Sequence, residues 1–168
     1  RGPGWSARHI LALVMGFARL RLLFLLAELA AAVELVYWTD TDTNKLRRYD
    51  PDTGIAEDVR QCYGLPTSIT VDSVGKKIYW IESGVRAIWR AGLDGSGTVP
   101  LIYQGLSNPA NVALDMVNGK VYWTDGGQSR LMRASSDGSN MEVVVPWGVS
   151  SPQGLAVHPE GGVVYWTD

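Results

Sequence analysis

Few residues in this chain have both the type and the spacing to do chemistry. Asp72 and Asp115 stand 43 residues apart in similar surroundings, and His158 follows after another 43. Carboxylates converging on one axis could hold a divalent cation and activate a water molecule for hydrolysis. Matched acids at a fixed interval are, however, what a structural repeat produces, whereas a metal site usually draws unlike residues from different segments. Histidine is the side chain suited to an acid-triggered switch, which draws notice to His158; a solvated imidazole beside a turn is the plainer reading. Cys62 is the single cysteine, so no internal disulfide is possible, and it reads as a small apolar packing residue. Neither a Gly-x-Ser-x-Gly elbow, nor His-Glu-x-x-His, nor a phosphate-cradling Gly-Lys-Ser/Thr occurs, and His9 is the only other histidine. The expectation is a protein that is not an enzyme and uses no cofactor and no metal.

The interval itself is more informative. Tyr-Trp-Thr-Asp or a close copy starts at Tyr37, Tyr79, Tyr122 and Tyr165, spaced 42, 43 and 43 residues apart. Nine residues after each of the first three tyrosines comes an apolar residue (Leu46, Ile88, Leu131), and eleven after comes an arginine (Arg48, Arg90, Arg133). Such pairs share one side of a strand. Asp52, Asp94 and Asp137 follow at offset fifteen with glycine close behind, the punctuation of a hairpin turn. Near offset thirty stand Pro66, Pro109 and Pro152, then apolar alternations ending at Asp72, Asp115 and His158. Each copy therefore reads as four strands and their turns, and no amphipathic helical stretch follows residue 37. A four-stranded unit of this length cannot bury both faces alone, so copies must stack as blades of a β-propeller.

Tyr37-Trp38-Thr39-Asp40, Tyr122-Trp123-Thr124-Asp125 and Tyr165-Trp166-Thr167-Asp168 carry a further likeness, together with Leu93-Asp94-Gly95-Ser96, Gly105-Leu106-Ser107-Asn108-Pro109 and Gly154-Leu155-Ala156-Val157. They resemble the class B (YWTD) repeats of the low-density lipoprotein receptor family. Tyr79-Trp80-Ile81-Glu82 is a degenerate copy, and His158 departs from the aspartate of the other repeats. The resemblance implies an all-β, six-bladed propeller in an extracellular or receptor protein, of which about three blades and the start of a fourth are present, with YWTD as each blade's second strand. Endocytic and Wnt co-receptor relatives are the nearest in organisation; a secreted matrix protein using the propeller as a docking platform is the alternative, and a propeller hydrolase a remote one. An incomplete disc would expose blade faces, so this piece is expected to self-associate through them.

The chain divides at residue 37. Residues 37–78, 79–121 and 122–164 are repeats, and 165–168 opens another. Residues 1–36 form a hydrophobic segment expected to be helical. One reading makes it a secretory signal, with Arg19 and Arg21 as the positive flank, Leu22 to Leu29 as the apolar run and Ala30-Ala31-Ala32 as the cleavage site. The other makes it a badly bounded segment, with Ala31 to Leu35 the remnant of a blade's first strand; Glu28 inside the apolar run favours this. Neither apolar run reaches the length of a spanning helix, so a membrane enters only through parts of a longer protein. A formal net charge of −2 offers no basic field, and nucleic acid is not an expected partner.

In an antiparallel blade the second and fourth strands end on the same face. That face would carry the segments after each YWTD and the connections ahead of each proline. Asp42, Tyr63, Arg86, Asn108 and Trp147 fall there and form the expected contact set for a protein ligand, since large aromatics and arginine dominate interfaces. The competing reading has Tyr63 and Trp147 closing the gap between blades. Tyr37, Trp38, Tyr79, Trp80, Tyr122, Trp123, Tyr165 and Trp166 are read as packing between blades. Thr39, Asp40, Thr124, Asp125, Thr167 and Asp168 belong to the same structural motif, with Thr39, Asp40, Thr124 and Asp125 expected to satisfy hydrogen bonds at strand ends. The repeated arginines could form a stripe for an acidic ligand; a solvated face or an ion pair within the sheet is the plainer reading. The expected location is the outer side of the plasma membrane, or secreted.

Overall fold

The computed structural model describes residues 9–12 and 33–168, with side chains from Leu35 onward. Among the described residues, fourteen strands form sheets that each run in chain order. Blade 1 comprises β1 (His9–Ala12), β2 (Val33–Asp40), β3 (Lys45–Asp50) and β4 (Ile55–Gln61). Blade 2 comprises β5 (Pro66–Asp72), β6 (Lys77–Glu82), β7 (Ala87–Gly92) and β8 (Val99–Ile102). Blade 3 comprises β9 (Pro109–Asp115), β10 (Lys120–Asp125), β11 (Arg130–Ser135) and β12 (Glu142–Val145). A fourth sheet pairs β13 (Leu155–His158) with β14 (Val163–Trp166). The described chain is thus a partial β-propeller, and each Tyr-Trp pair lies on a second strand.

One strand departs from the helix expected over residues 1–36. His9–Ala12 is extended and pairs with β2 in parallel, His9 opposite Val33 and Ala12 opposite Tyr37. Val33 to Leu35, expected as a remnant of a first strand, instead begin the second. The open edge of β2 offers unpaired backbone groups that an extended apolar segment can satisfy. The twenty residues from 13 to 32 exceed the dozen or so that a parallel connection requires. The signal-sequence reading of Arg19 to Ala32 falls outside the described residues.

Adjacent residues on a strand point to opposite sides, and the Tyr-Trp pairs use this to join three layers. Tyr37 and Leu46 from blade 1 pack with Cys62, Ile69, Ile78, Trp80 and Ala91 in one core. Tyr79, Ile81 and Ile88 from blade 2 pack with Val112, Val121, Trp123 and Met132 in the next. Tyr37 and Tyr79 therefore face the following blade, and Trp80 and Trp123 the preceding one. Burying one such ring is worth about 4–6 kcal/mol at ~25 cal/mol per Å². At the last sheet Tyr165 and Trp166 are 61 % and 40 % exposed.

Two further contacts fix blade spacing. Gly95 and Gly138, in the turns between third and fourth strands, adopt φ of +81° and +90°. A Cβ on them would lie 2.6 Å from Val59 O and 2.5 Å from Leu101 O, on the outer strands of the preceding blades. Only glycine allows both the left-handed backbone and this approach. The repeated arginines act across the same gap: Arg48 Nη1 donates to Leu93 O at 3.4 Å and Arg90 Nη1 to Ser136 O at 3.0 Å. Arg48 and Arg133 also pair within their sheets with Glu57 and Glu142, each at 2.6 Å. The cross-blade contact is the part that periodicity alone did not show.

Candidate functional site: the connection face

The turns after the second strands and the connections between blades meet on one face, stitched by hydrogen bonds. The amide of Cys62 donates to Asn44 O at 2.8 Å, that of Ser83 to Leu65 O at 2.9 Å, and that of Gly126 to Asn108 O at 3.0 Å. Gln128 Nε2 donates to Gly105 O at 2.7 Å, and Ser129 Oγ to Ser150 O at 2.8 Å. Asn44, Arg86 and Ser129 close the turns with φ of 55°, 52° and 50°.

The final acid of each motif organises this face. Asp125, fully buried, accepts the amides of Ser107 at 2.8 Å and Asn108 at 2.9 Å from the connection ahead of its own blade. It also accepts Gly127 at 3.1 Å and Gln128 at 3.2 Å from the turn beyond it. Asp168 holds Ser150 and Ser151 in the same way, at 2.8 and 2.6 Å. Asp40 accepts the Thr43 amide at 3.0 Å, and that bond draws its carboxyl below the usual range. Burying a carboxyl group is tolerable only where its oxygens find such a set of hydrogen-bond donors. Thr124 adds a bridge: its hydroxyl accepts Asn111 N–H at 3.1 Å and donates to Gln153 O, in the connection to the next blade, at 2.9 Å.

Of the residues singled out from the sequence, Asp42, Tyr63, Arg86, Asn108 and Trp147 are all exposed on this face. Tyr63 is 81 % and Trp147 80 % exposed, so neither closes a gap between blades here. That place is taken by Cys62 and Val149, at 4 % and 9 %, and by Leu106, which packs against the second core. The Arg60 guanidinium lies 6.0 Å from the Tyr63 ring centre. Tyr103, 64 % exposed in the connection between blades 2 and 3, was missed by sequence reasoning. Its signal was its place, directly after β8. Asn108 alone of the five lines a depression of about 330 Å³, with Thr67, Asn111 and Gln153, where the first strands of three sheets begin.

Asp72 and Asp115 lie elsewhere, at the ends of the first strands, where the turns to the second strands begin. Asp72 Oδ1 accepts Val74 and Gly75 amides at 3.1 and 2.8 Å, and Asp115 accepts Asn118 N and Nδ2 at 3.0 and 2.8 Å. Their carboxylates are committed to turn closure. Among the described residues, no group of three or more His, Cys, Asp or Glu side chains could hold a metal ion. His158 is exposed at the end of β13. Burial pushes the Cys62 thiol up to about 12, with the Glu82 carboxylate adding to the shift. No described helix is long and apolar enough to cross a membrane.

Blades that stack through aromatic second strands and pin their connections with a terminal carboxylate define a YWTD-type β-propeller. Residues 76–116 and 119–159 match the family model of the low-density lipoprotein receptor repeat class B, which makes these two segments repeats of that class. Among solved structures, that of a nidogen–laminin complex contains a chain 28 % identical, with a TM-score of 0.72; the match covers 80 % of this chain and 52 % of that one. A virginiamycin B lyase from Staphylococcus aureus is 19 % identical with a TM-score of 0.65, covering 79 % of this chain and 44 % of the other. A streptogramin B lyase is 18 % identical with a TM-score of 0.63, covering 78 % and 43 %. The lyase likenesses show the fold alone. This chain spans about half or less of the length of each structure.

Proposed function

We propose that this chain is a non-catalytic, protein-docking propeller module on the extracellular side, and that its partner sits on the connection face. The observation that supports this most is the contrast within that face. Its backbone is pinned by the carboxylates of Glu82, Asp125 and Asp168, while Tyr63, Tyr103 and Trp147 stand exposed from three successive connections. A rigid frame presenting large rings loses little entropy on binding, which is how aromatic anchors become dominant contacts. Class B repeats support a cell-surface receptor of the low-density lipoprotein receptor-related type, endocytic or Wnt co-receptor-like. The likeness to a chain in a nidogen–laminin complex supports the second reading, a secreted matrix protein using the same face. A spanning helix and cytoplasmic tail in the full-length gene product would select the receptor; a secreted product without them would select the matrix protein.

The hydrolytic alternative gains nothing from Asp72 and Asp115, whose Oδ1 atoms accept turn amides. The docking reading is tested by cross-linking the chain to a set of purified extracellular protein domains and mapping the linked residues by mass spectrometry. Links concentrated around residues 41–44, 62–65, 103–108 and 146–151 are expected. Links concentrated around Val74 and Val117, exposed on the turns at the opposite end, would overturn the choice of face.

A further inference from the structure

Glu82 holds its connection one residue out of step with the other carboxylates. Asp125 accepts the amides of residues eighteen and seventeen positions upstream, Ser107 and Asn108, and Asp168 does the same with Ser150 and Ser151. Glu82 Oε2 instead accepts those nineteen and eighteen upstream, Tyr63 at 3.0 Å and Gly64 at 2.9 Å. Equivalent prolines, Pro66, Pro109 and Pro152, stand sixteen residues before each acid, and the first two open their strands, so the offset is confined to the connection. Its consequence is visible in what each connection buries. Residues nineteen upstream of the aspartates, Leu106 and Val149, turn inward, and Val149 is 9 % exposed. The residue nineteen upstream of Glu82 is Tyr63, turned outward at 81 %, and Cys62 fills the interior place at 4 %.

The extra methylene of glutamate accounts for both sides of this difference. It carries Oε2 further along the connection, and it lets Oε1 accept the Trp80 indole N–H at 3.0 Å. With aspartate in blade 3, the corresponding Trp123 Nε1 is buried with no partner. We propose that the length of the Glu82 side chain sets the register of this connection, placing Cys62 inside and Tyr63 outside, and so makes Glu82 the positioning residue for one aromatic anchor of the docking face. The consequence for binding rests on the docking reading above; the register itself does not.

Cys62, as the single cysteine, reports the register directly. A buried thiol resists alkylation, whereas an exposed one at pH 8 reacts readily. In the whole folded chain, Glu82→Asp should raise the rate of Cys62 modification by an aromatic disulfide reagent at least about ten-fold, while Glu82→Gln, which keeps the length and one acceptor oxygen for the Tyr63 and Gly64 amides but loses the acceptor for the Trp80 indole, should leave it within about two-fold of the parent. Equal rates in both variants, whether slow or fast, would overturn the proposal, because charge or the connection's own sequence would then set the register. Should Glu82→Asp fail to fold, the test runs in reverse at blade 3. With Cys62→Ala and Leu106→Cys in place, Asp125→Glu should expose the new thiol with a similar rise in rate, and no rise would count against the idea. Tyr63→Ala then tests the docking reading separately. Loss of cross-linking with Cys62 still protected supports it, and unchanged cross-linking removes Tyr63 from the face without touching the register.

Discussion

The junctions at the ends of β6 and β10 use one motif with two substitutions, and they satisfy their hydrogen bonds by different routes. In blade 3 the Thr124 hydroxyl joins its own first strand to the next connection, and Asp125 gathers four amides. In blade 2 Ile81 replaces the threonine and packs into the core facing blade 3, without a hydroxyl. Ser68 Oγ takes over a cross-blade bond, accepting the Val112 amide at 3.1 Å. Glu82 collects two connection amides and the Trp80 indole, where Trp123 has no such partner. The motif is therefore a set of obligations that can be moved between side chains, not a fixed set of letters. A degenerate copy can satisfy its own ring better than the regular one.

The largest effects should come from the rings that join the layers. Trp80→Ala and Trp123→Ala should each cost about 3–5 kcal/mol, a large part of a net stability of about 5–15 kcal/mol. Thermal or denaturant unfolding would show it. The phenylalanine variants sharpen the contrast: Trp80→Phe removes a bond to a buried carboxylate, so it should cost about 1.5–3 kcal/mol more than Trp123→Phe. Equal costs would mean that the Glu82–indole bond contributes nothing. Next come Gly95→Ala and Gly138→Ala. Each puts a Cβ at an impossible distance from the preceding blade's carbonyl and a side chain in left-handed backbone, and should destabilise by about 2 kcal/mol or more.

Thr124→Val should cost about 1–3 kcal/mol, because Asn111 N–H and Gln153 O both lose a partner. Ser68→Ala removes a single bond and should cost about 1 kcal/mol. The smallest effect concerns pH. The Cys62 thiol is raised to about 12 in the folded chain, while an unfolded thiol ionises near 8.5. Its stabilising contribution is complete below that lower value and is lost as pH rises from there toward about 12. Cys62→Ala should flatten the alkaline limb of a stability–pH curve; an unchanged slope would assign that limb to other groups.

The periodicity made the blades, their strand order and the inward-facing aromatics legible, because a fixed interval repeats the same burial three times. Leu46, Ile88 and Leu131 were legible as one facing position, and all three are fully buried. The arginines two residues on share that side, but their reach to the next blade's turn carbonyl depends on blade spacing, which no single repeat contains. Tyr63 and Trp147 were legible as residues of the connections, with their exposure undecided. Exposure there follows from which residue a neighbouring carboxylate pins, and a one-methylene difference at Glu82 changes that outcome. His9–Ala12 was unreadable for another reason: a parallel partner to β2 is chosen by an open edge, not by its own four residues.

Residue-resolved amide exchange across the three connections tests the central claim most directly. If terminal carboxylates hold these loops, the amides of Tyr63, Gly64, Ser107, Asn108, Ser150 and Ser151 should exchange far more slowly than those of Tyr103 and Trp147, which the carboxylates do not reach. Uniformly fast exchange through all three loops would contradict the account.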